Sequence, residues 1–291
     1  MATARDIKKR IRSVTSTHKI TRTMEMVATS KFKRAVARVN EARPFSDALP
    51  MLLALLAGEE EEKSLHPLLT PRDRVRRVAL LLLTTNRGLC GALNTNLIRL
   101  AGTFVAEQEE WGRATDLHVV GRKGVGYFRF IDQELASEFT QLSDRPGPED
   151  AQRFADQMRD EFLSGRVDEV HVAYPRFKNA AEHPPTIEQF LPLDIIPEEE
   201  EPVGTLKHYI FEPGREQMLG ELLPLYLRNL MLSYLLEMAA SEQGARRTAM
   251  KAATDSAREM IDSLTLSYNK ARQAQITTEL LEVVSGAEAL R

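Results

Sequence analysis

The chain of 291 residues has a single cysteine, which excludes an intramolecular disulfide and any cysteine-rich zinc site. Charge of one sign does not dominate. Lys and Arg number 39 against 42 Asp and Glu, for a net charge of -3, which excludes the uniformly basic coat of a simple nucleic-acid binder. Apolar runs are short, and none approaches the roughly 20 residues that span a bilayer. Met51–Ala57 and Val78–Leu83 read as buried segments instead. The amino terminus is basic but has no signal-peptide apolar stretch, so a mature intracellular protein is expected. There is no G-x-x-x-x-G-K-[ST] phosphate loop. The six histidines (His18, His66, His118, His171, His183, His208) show no ligand spacing and have no adjacent cysteine, so no metal and no cofactor is expected. Nothing resembles an acid/base pair or a nucleophile elbow, and no catalytic residue is assigned.

Proline and glycine are missing from both ends. The first proline is Pro44, the first glycine is Gly58, and neither occurs from Ala245 to Ser285. Breakers punctuate turns and their absence permits long helices, so the plan is helix, mixed middle, helix. In the first segment Ile7, Ile11, Val14, Ile20, Met24, Val27 or Ala28, Phe32, Ala35 and Val39 step by threes and fours, with a phase slip near His18. A helix from Ala2 to Arg43 would be roughly 60 Å long, and Pro44 and Pro50 should kink or end it. In the last segment Met250, Ala257, Leu264, Ala271 and Thr278 recur as heptads, with Ala253, Met260, Ser267, Ala274 and Leu281 as the second seam position. A heptad seam implies supercoiling around a partner helix. From Pro213-Gly214 that helix would run roughly 105 Å, with bends expected at Gly220, Pro224 and Gly244. The two long helices are each other's obvious partners, as an antiparallel coiled coil.

The middle alternates strand and helix. Strands are predicted at Val75–Thr85, Leu117–Val120 and Val167–Tyr174, with further ones at Thr186–Leu191 and Lys207–Phe211. Helices are predicted at Gly91–Gln108, Gly124–Phe130 and Glu149–Leu163. Such alternation predicts a mostly parallel sheet covered by helices. The expected fold is thus α/β with long helices: a coiled coil of the two chain ends plus a central α/β domain. The boundaries read as 1–74 for the first helix and an acidic linker, 75–206 for the central domain, and 207–291 for a last strand and helix. The runs Glu59–Glu62 and Glu198–Glu201 read as solvated boundary loops.

Two motifs in the middle tempt. Gly121-Arg122-Lys123-Gly124-Val125-Gly126 follows a strand, but its spacing is not the dinucleotide G-x-G-x-x-G, and a glycine-rich turn is the default. Arg87-Gly88-Leu89-Cys90-Gly91-Ala92-Leu93-Asn94 follows the first strand, where α/β sheets place ligands. Cys90 has no histidine near it in sequence and reads as packed. The first helix carries twelve basic residues against three acidic ones through Arg43, a local charge of +9. That face wants an anionic partner, and charge alone does not choose which.

Three stretches carry a family resemblance. Ile11-Arg12-Ser13-Val14 with Lys19-Ile20-Thr21-Arg22-Thr23-Met24-Glu25-Met26-Val27-Ala28-Thr29-Ser30-Lys31, the central Arg87–Asn94 motif, and Leu264-Thr265-Leu266-Ser267-Tyr268-Asn269-Lys270-Ala271-Arg272-Gln273 with Ile276-Thr277-Thr278-Glu279-Leu280 resemble the gamma subunit of F-type ATP synthase. The resemblance implies a non-catalytic rotating shaft inside the ring of alpha and beta subunits. Its α/β domain would sit near the epsilon subunit and the c-subunit ring, and it would touch the membrane only through the complex, on the cytoplasmic face of a bacterial inner membrane. It implies that Arg272 and Gln273 make a polar contact to a beta-subunit loop, and that Lys19 and Met24 lie near an acidic beta lever. For Met24 plain seam packing competes. Two other readings stand beside this one: a basic coiled-coil protein that binds nucleic acid, and an α/β enzyme using the Cys90 loop.

Overall fold

The computed structural model describes residues 4–57, 66–194 and 214–289. The runs Glu59–Glu62 and Glu198–Glu201 and the strand expected at Lys207–Phe211 lie outside the described residues. The elements in order are α1 (Ala4–Ala57), β1 (Arg77–Leu83), α2 (Leu93–Glu110), β2 (Ala114–Val120), α3 (Arg122–Phe130), β3 (Ser137–Phe139), α4 (Pro148–Leu163), β4 (Glu169–Pro175), β5 (Pro185–Leu191) and α5 (Arg215–Ala289). They divide into two compact units. One joins residues 1–30 with 246–291, and the other is 31–245. Helices α1 and α5 contribute to both.

In the larger unit the sheet order is β3-β2-β1-β4-β5, with only β5 antiparallel to its neighbour. β1 lies at the centre because its sequence, RVALLLL, is apolar on both faces. Ala79, Leu81 and Leu83 face α4, through Phe154, Ala155 and Met158, and the early part of α5, through Leu223, Leu227 and Met231. Leu80 and Leu82 face α2 and α3, through Leu93, Leu97, Val125 and Phe128. Each strand-to-helix boundary matches the sequence reading within a few residues. The short edge strand β3 escaped it, since three residues (Ser-Glu-Phe) carry no readable period.

Helix α1 overruns the expected stop. It continues through Pro44 and Pro50 to Ala57. Each interior proline costs about 3 kcal/mol. Leu49, Leu53 and Leu56 beyond them are almost fully buried, worth about 1.5–3 kcal/mol each, so packing matches or exceeds the local penalty. Helix α5 likewise runs unbroken through Gly220, Pro224 and Gly244. Gly244 fits a close approach: a Cβ there would sit 3.2 Å from both the Ala180 carbonyl oxygen and the Phe32 ring. The pairing of α1 with α5 in this unit is antiparallel, because Val39 packs on Leu236 and Ala240 while Asn229 Nδ2 donates to Ser46 Oγ at 3.0 Å.

Two histidines are locked inside this unit. His118 on β2 shares a hydrogen bond between its Nδ1 and Ser137 Oγ at 2.7 Å, and its Nε2 lies 3.2 Å from Glu161 Oε2. Burial lowers its pKa more than the neighbouring Glu161 and Asp116 carboxylates raise it. Burial lowers His171 too, against its contact with Glu169. The unfolded chain therefore takes up protons first as pH falls below about 6.5, and stability is lost from there downward. The urea midpoint of the full chain should fall between pH 7 and pH 5.5, and the variant H118Q/H171Q should show a flatter pH dependence over that range.

Candidate functional site

The two loops that could have held chemistry are filled by their own side chains. At the start of α3, Arg122 N–H donates to Asn86 Oδ1, Lys123 N–H to the Thr85 carbonyl and Gly124 N–H to Thr84 Oγ1, at 3.0, 3.1 and 3.0 Å. These are the amides that would cradle a phosphate, and they are occupied. Glycine is required there for closeness: a Cβ on Gly121, which has φ +98°, would lie 2.2 Å from the Thr84 carbonyl oxygen, and one on Gly124 would lie 2.7 Å from Thr84 Oγ1. The Arg87–Asn94 loop is tied in the same way. Asn94 Oδ1 accepts the Thr85 amide at 3.0 Å, and Asn94 Nδ2 donates to Thr85 Oγ1 at 2.9 Å and to Cys90 Sγ at 3.2 Å. Cys90 is buried. Both motifs shape the fold at the carboxyl edge of the sheet. Among the described residues no group of three or more His, Cys, Asp or Glu could hold a metal.

The remaining candidate is the smaller unit, a pair of helices. On α1 the residues turned inward are Ile7, Ile11, Val14, His18, Thr21, Glu25 and Ala28, a regular alternation of four and three. There is no phase slip at His18. His18, Thr21 and Glu25 continue the stripe, and Ile20 and Val27 are exposed. The sequence reading followed the larger apolar residues, whereas the seam here accepts small and polar ones. On α5 the inward residues are Met250, Thr254, Ala257, Ile261, Leu264, Tyr268 and Ala271. Of the first expected seam row, Met250, Ala257, Leu264 and Ala271 pack, while Thr278 is exposed. In the second row only Ala253 is partly buried, while Met260 and Ser267 face outward. Its place is taken by Thr254, Ile261 and Tyr268. Steps of three and of four both fit a heptad, and the side facing the partner selects between them.

One contact sets the register. Thr254 Oγ1 and Thr21 Oγ1 lie 2.9 Å apart, both buried. Thr21 also reaches the His18 carbonyl at 3.1 Å and Thr254 the Met250 carbonyl at 2.8 Å, so two hydroxyl protons serve three contacts. Antiparallel pairing through this point places Ile11 opposite Leu264 and Ile7 opposite Tyr268. It also explains why burial on α5 ends at Ala271, which faces the first turn of α1 at Ala4. Parallel pairing would match Tyr268 to Ala35, outside the unit. Beyond Ala271, α5 goes on as a single exposed helix bearing Ile276, Leu280, Leu281, Val283 and Val284, 48–71% accessible. So continuous an apolar surface marks a contact site. Outer hydroxyls are turned back onto the helix: Thr23, Thr265, Ser267, Thr277 and Thr278 each donate to the carbonyl four residues earlier, at 2.7–3.0 Å. They thereby show methyls and methylenes outward more than donors.

Of the residues expected to touch partners, Lys19, Arg272 and Gln273 are exposed and Met24 is half-buried on the seam side. The register separates the two pairs along the helices by about 25 Å, so they form no single cluster. The exposed cations Lys8, Lys9, Arg10, Arg12, Lys19 and Arg22 cover the outside of α1. Sequence reasoning missed the Thr21–Thr254 link and the Ile261–Tyr268 row; the heptad itself contained the signal, read one step out of phase.

A family model described as "ATP synthase" matches residues 3–290. The ATP synthase gamma chain of Gemmatimonas aurantiaca is 46% identical over 100% of both chains, and that of Dehalococcoides mccartyi 45% over 100% of both. Among solved structures, a chain of the central stalk and c-ring of Tetrahymena thermophila mitochondrial ATP synthase is 25% identical, with TM-score 0.63, covering 80% of this chain and 99% of that one. A chain of Euglena gracilis mitochondrial ATP synthase shares the fold at 20% identity, with TM-score 0.65, covering 99% and 94%. The corrected phase is open to a direct check. Ile261→Lys should destabilise the helix pair by about 1–3 kcal/mol, while Met260→Lys next to it should stay within about 0.5 kcal/mol, as read from amide exchange in residues 246–271.

Proposed function

The chain belongs to the gamma-chain family of ATP synthase, and from that premise we propose how it acts. It is the central rotor shaft, coupling ion-driven rotation to conformational change in the catalytic alpha and beta subunits, and it is itself no catalyst. The observation that carries this reading is the paired helix ends, whose helix α5 outlasts its partner and displays apolar side chains beyond Ala271. Such a surface calls for a sleeve, and the ring of alternating alpha and beta subunits is that sleeve. The α/β unit serves as the foot, beside the epsilon subunit and the c-subunit ring.

The mechanism follows from symmetry. Three chemically identical sites cannot differ unless something asymmetric touches them. Two unlike helices inside a threefold ring present a different face to each beta subunit, and turning the pair exchanges those conformations, a coupling free energy delivered mechanically. Arg272 and Gln273, exposed at the height where α5 becomes single, suit a polar contact to a beta-subunit loop. Lys19 and the cations around it suit an acidic lever, and Met24 packs the seam. Outward methyls with few free donors suit sliding without strong adhesion. No helix among the described residues is long and apolar enough to cross a membrane, and we place the chain at the membrane only through the complex. The bacterial relatives support placing that complex on the cytoplasmic face of an inner membrane.

Nucleic-acid binding by α1 is the weaker reading, because Ile20, Met26 and Val27 lie exposed among its cations. An enzyme built on the Cys90 loop is weaker still, because that loop bonds to itself. The direct test is co-purification from native membranes, which should yield a stoichiometric complex with alpha and beta subunits; a chain recovered alone or with nucleic acid would refute the proposal. Within the complex, Ala274→Leu with Thr277→Leu should slow ATP turnover, and R272A/Q273A should lower it by up to about tenfold, the worth of one lost polar contact.

A further inference from the structure

We propose that a cavity in the larger unit, walled by α1, the loop after β3 and α5, binds a small organic phosphate carried on a flat heteroaromatic ring. Its volume is about 820 Å³, within the range of small-molecule sites. All its lining residues belong to 31–245, so the inference stands apart from the rotor reading. The floor is apolar, made of Ala35 on α1 with Leu236 and Ala239 on α5. Lys31 and Arg38 rise from α1, two turns apart, and Arg145 comes from the loop. Side-chain contacts fix that loop. Arg38 donates to the Pro146 carbonyl, Lys31 pairs with Asp144 at 2.8 Å, and Asn86 Nδ2 donates to the Leu142 carbonyl at 2.7 Å. Asp144 also lies 3.5 Å from Arg87, so two cations offset its charge. The guanidinium group of Arg145 has no hydrogen bond or ion pair among the described residues. The cavity thus has fixed walls and a cation left to engage an anion.

Gln243 selects the ligand. It lines the cavity, it is 4% exposed, and its Oε1 has no hydrogen-bond partner among the described residues. A buried polar group left unsatisfied is destabilising, and leucine would fill similar space without that penalty. The amide therefore points to a use. It offers an acceptor and two donors in one plane. A heteroaromatic edge with a donor beside an acceptor matches that fork, as the N6 and N7 edge of adenine does. Such a ring would lie flat on the surface of Ala35, Leu236 and Ala239, where the two alanines leave room. The phosphate would meet Arg38 and Arg145, whose forks match its oxygens. The lining carries four basic side chains against two acidic ones, so an anion is favoured. An acidic side chain from a protein would answer the cations but leave Gln243 unsatisfied.

The test uses the full chain, with adenosine monophosphate as the probe. Ribose 5-phosphate, equal in charge but without the ring, is the control. Calorimetric titration should show the nucleotide binding about tenfold tighter than the sugar phosphate. Gln243→Leu leaves the charge alone and should bring the nucleotide down to the level of the sugar phosphate. The nucleotide should raise the thermal midpoint of the wild-type chain and not that of the variant. The variant's own midpoint, equal or higher, would show that it folds. Should it not fold, Arg145→Gln on the exposed loop is the second variant, and it should weaken both ligands about fivefold. A nucleotide that binds no tighter than the sugar phosphate overturns the proposal, since the attraction is then charge alone. Undiminished nucleotide binding by either variant does so too. So does an Arg145→Gln chain that binds the nucleotide normally but assembles poorly with alpha and beta subunits, because the cation would then serve an acidic protein surface.

Discussion

The helix pair closes on a seam with little to bury. Its central contact is one threonine hydroxyl against another, flanked by Ala28, Ala257 and Met250 rather than by rows of leucine. Small seam residues let helix axes approach closely, and they bury less area per turn. Everything else in the molecule answers that economy. The same two helices are fixed at their other ends by a dense apolar cluster under the sheet, where Leu53, Leu56, Leu219, Leu223 and Leu227 are nearly inaccessible. A seam of small residues in one unit and a dense apolar core in the other suit a part that must fit inside a ring and still be gripped.

The loops at one edge of the sheet are closed by the chain's own residues. The carboxyl edge of a parallel sheet is where ligands usually bind. Here Thr84, Thr85, Asn86 and Asn94 satisfy the amides of that edge, and α5 supplies Ser241 and Glu237 to the loop after β4. Burial raises the pKa of Glu237 more than the Phe177 amide and nearby arginines lower it. The acid thus belongs to the junction between sheet and helix. The place for a substrate has become the place where the shaft is fastened.

Much of this was legible in the sequence, because long-range order was written in breakers and periods. The lack of proline and glycine at the ends declared the helices, and RVALLLL declared a central strand. What escaped was decided by neighbours. Pro44 and Pro50 stay helical because leucines beyond them are buried. His18 and Thr21 join the seam because α5 faces them. Ser137–Phe139 becomes a strand because β2 offers it an edge. Arg38 and Arg145 are plain in the sequence, but their meeting depends on the loop after β3 lying against α1.

On this reading the two ends of the chain form one antiparallel body that turns as a unit. Cysteines placed at Ile11 and Leu264 and joined by a short thiol cross-linker in the assembled complex would test it most directly, since buried Cys90 does not compete. The account predicts efficient linkage with ATP turnover unchanged. Absent linkage, or linkage that halts turnover, would contradict it.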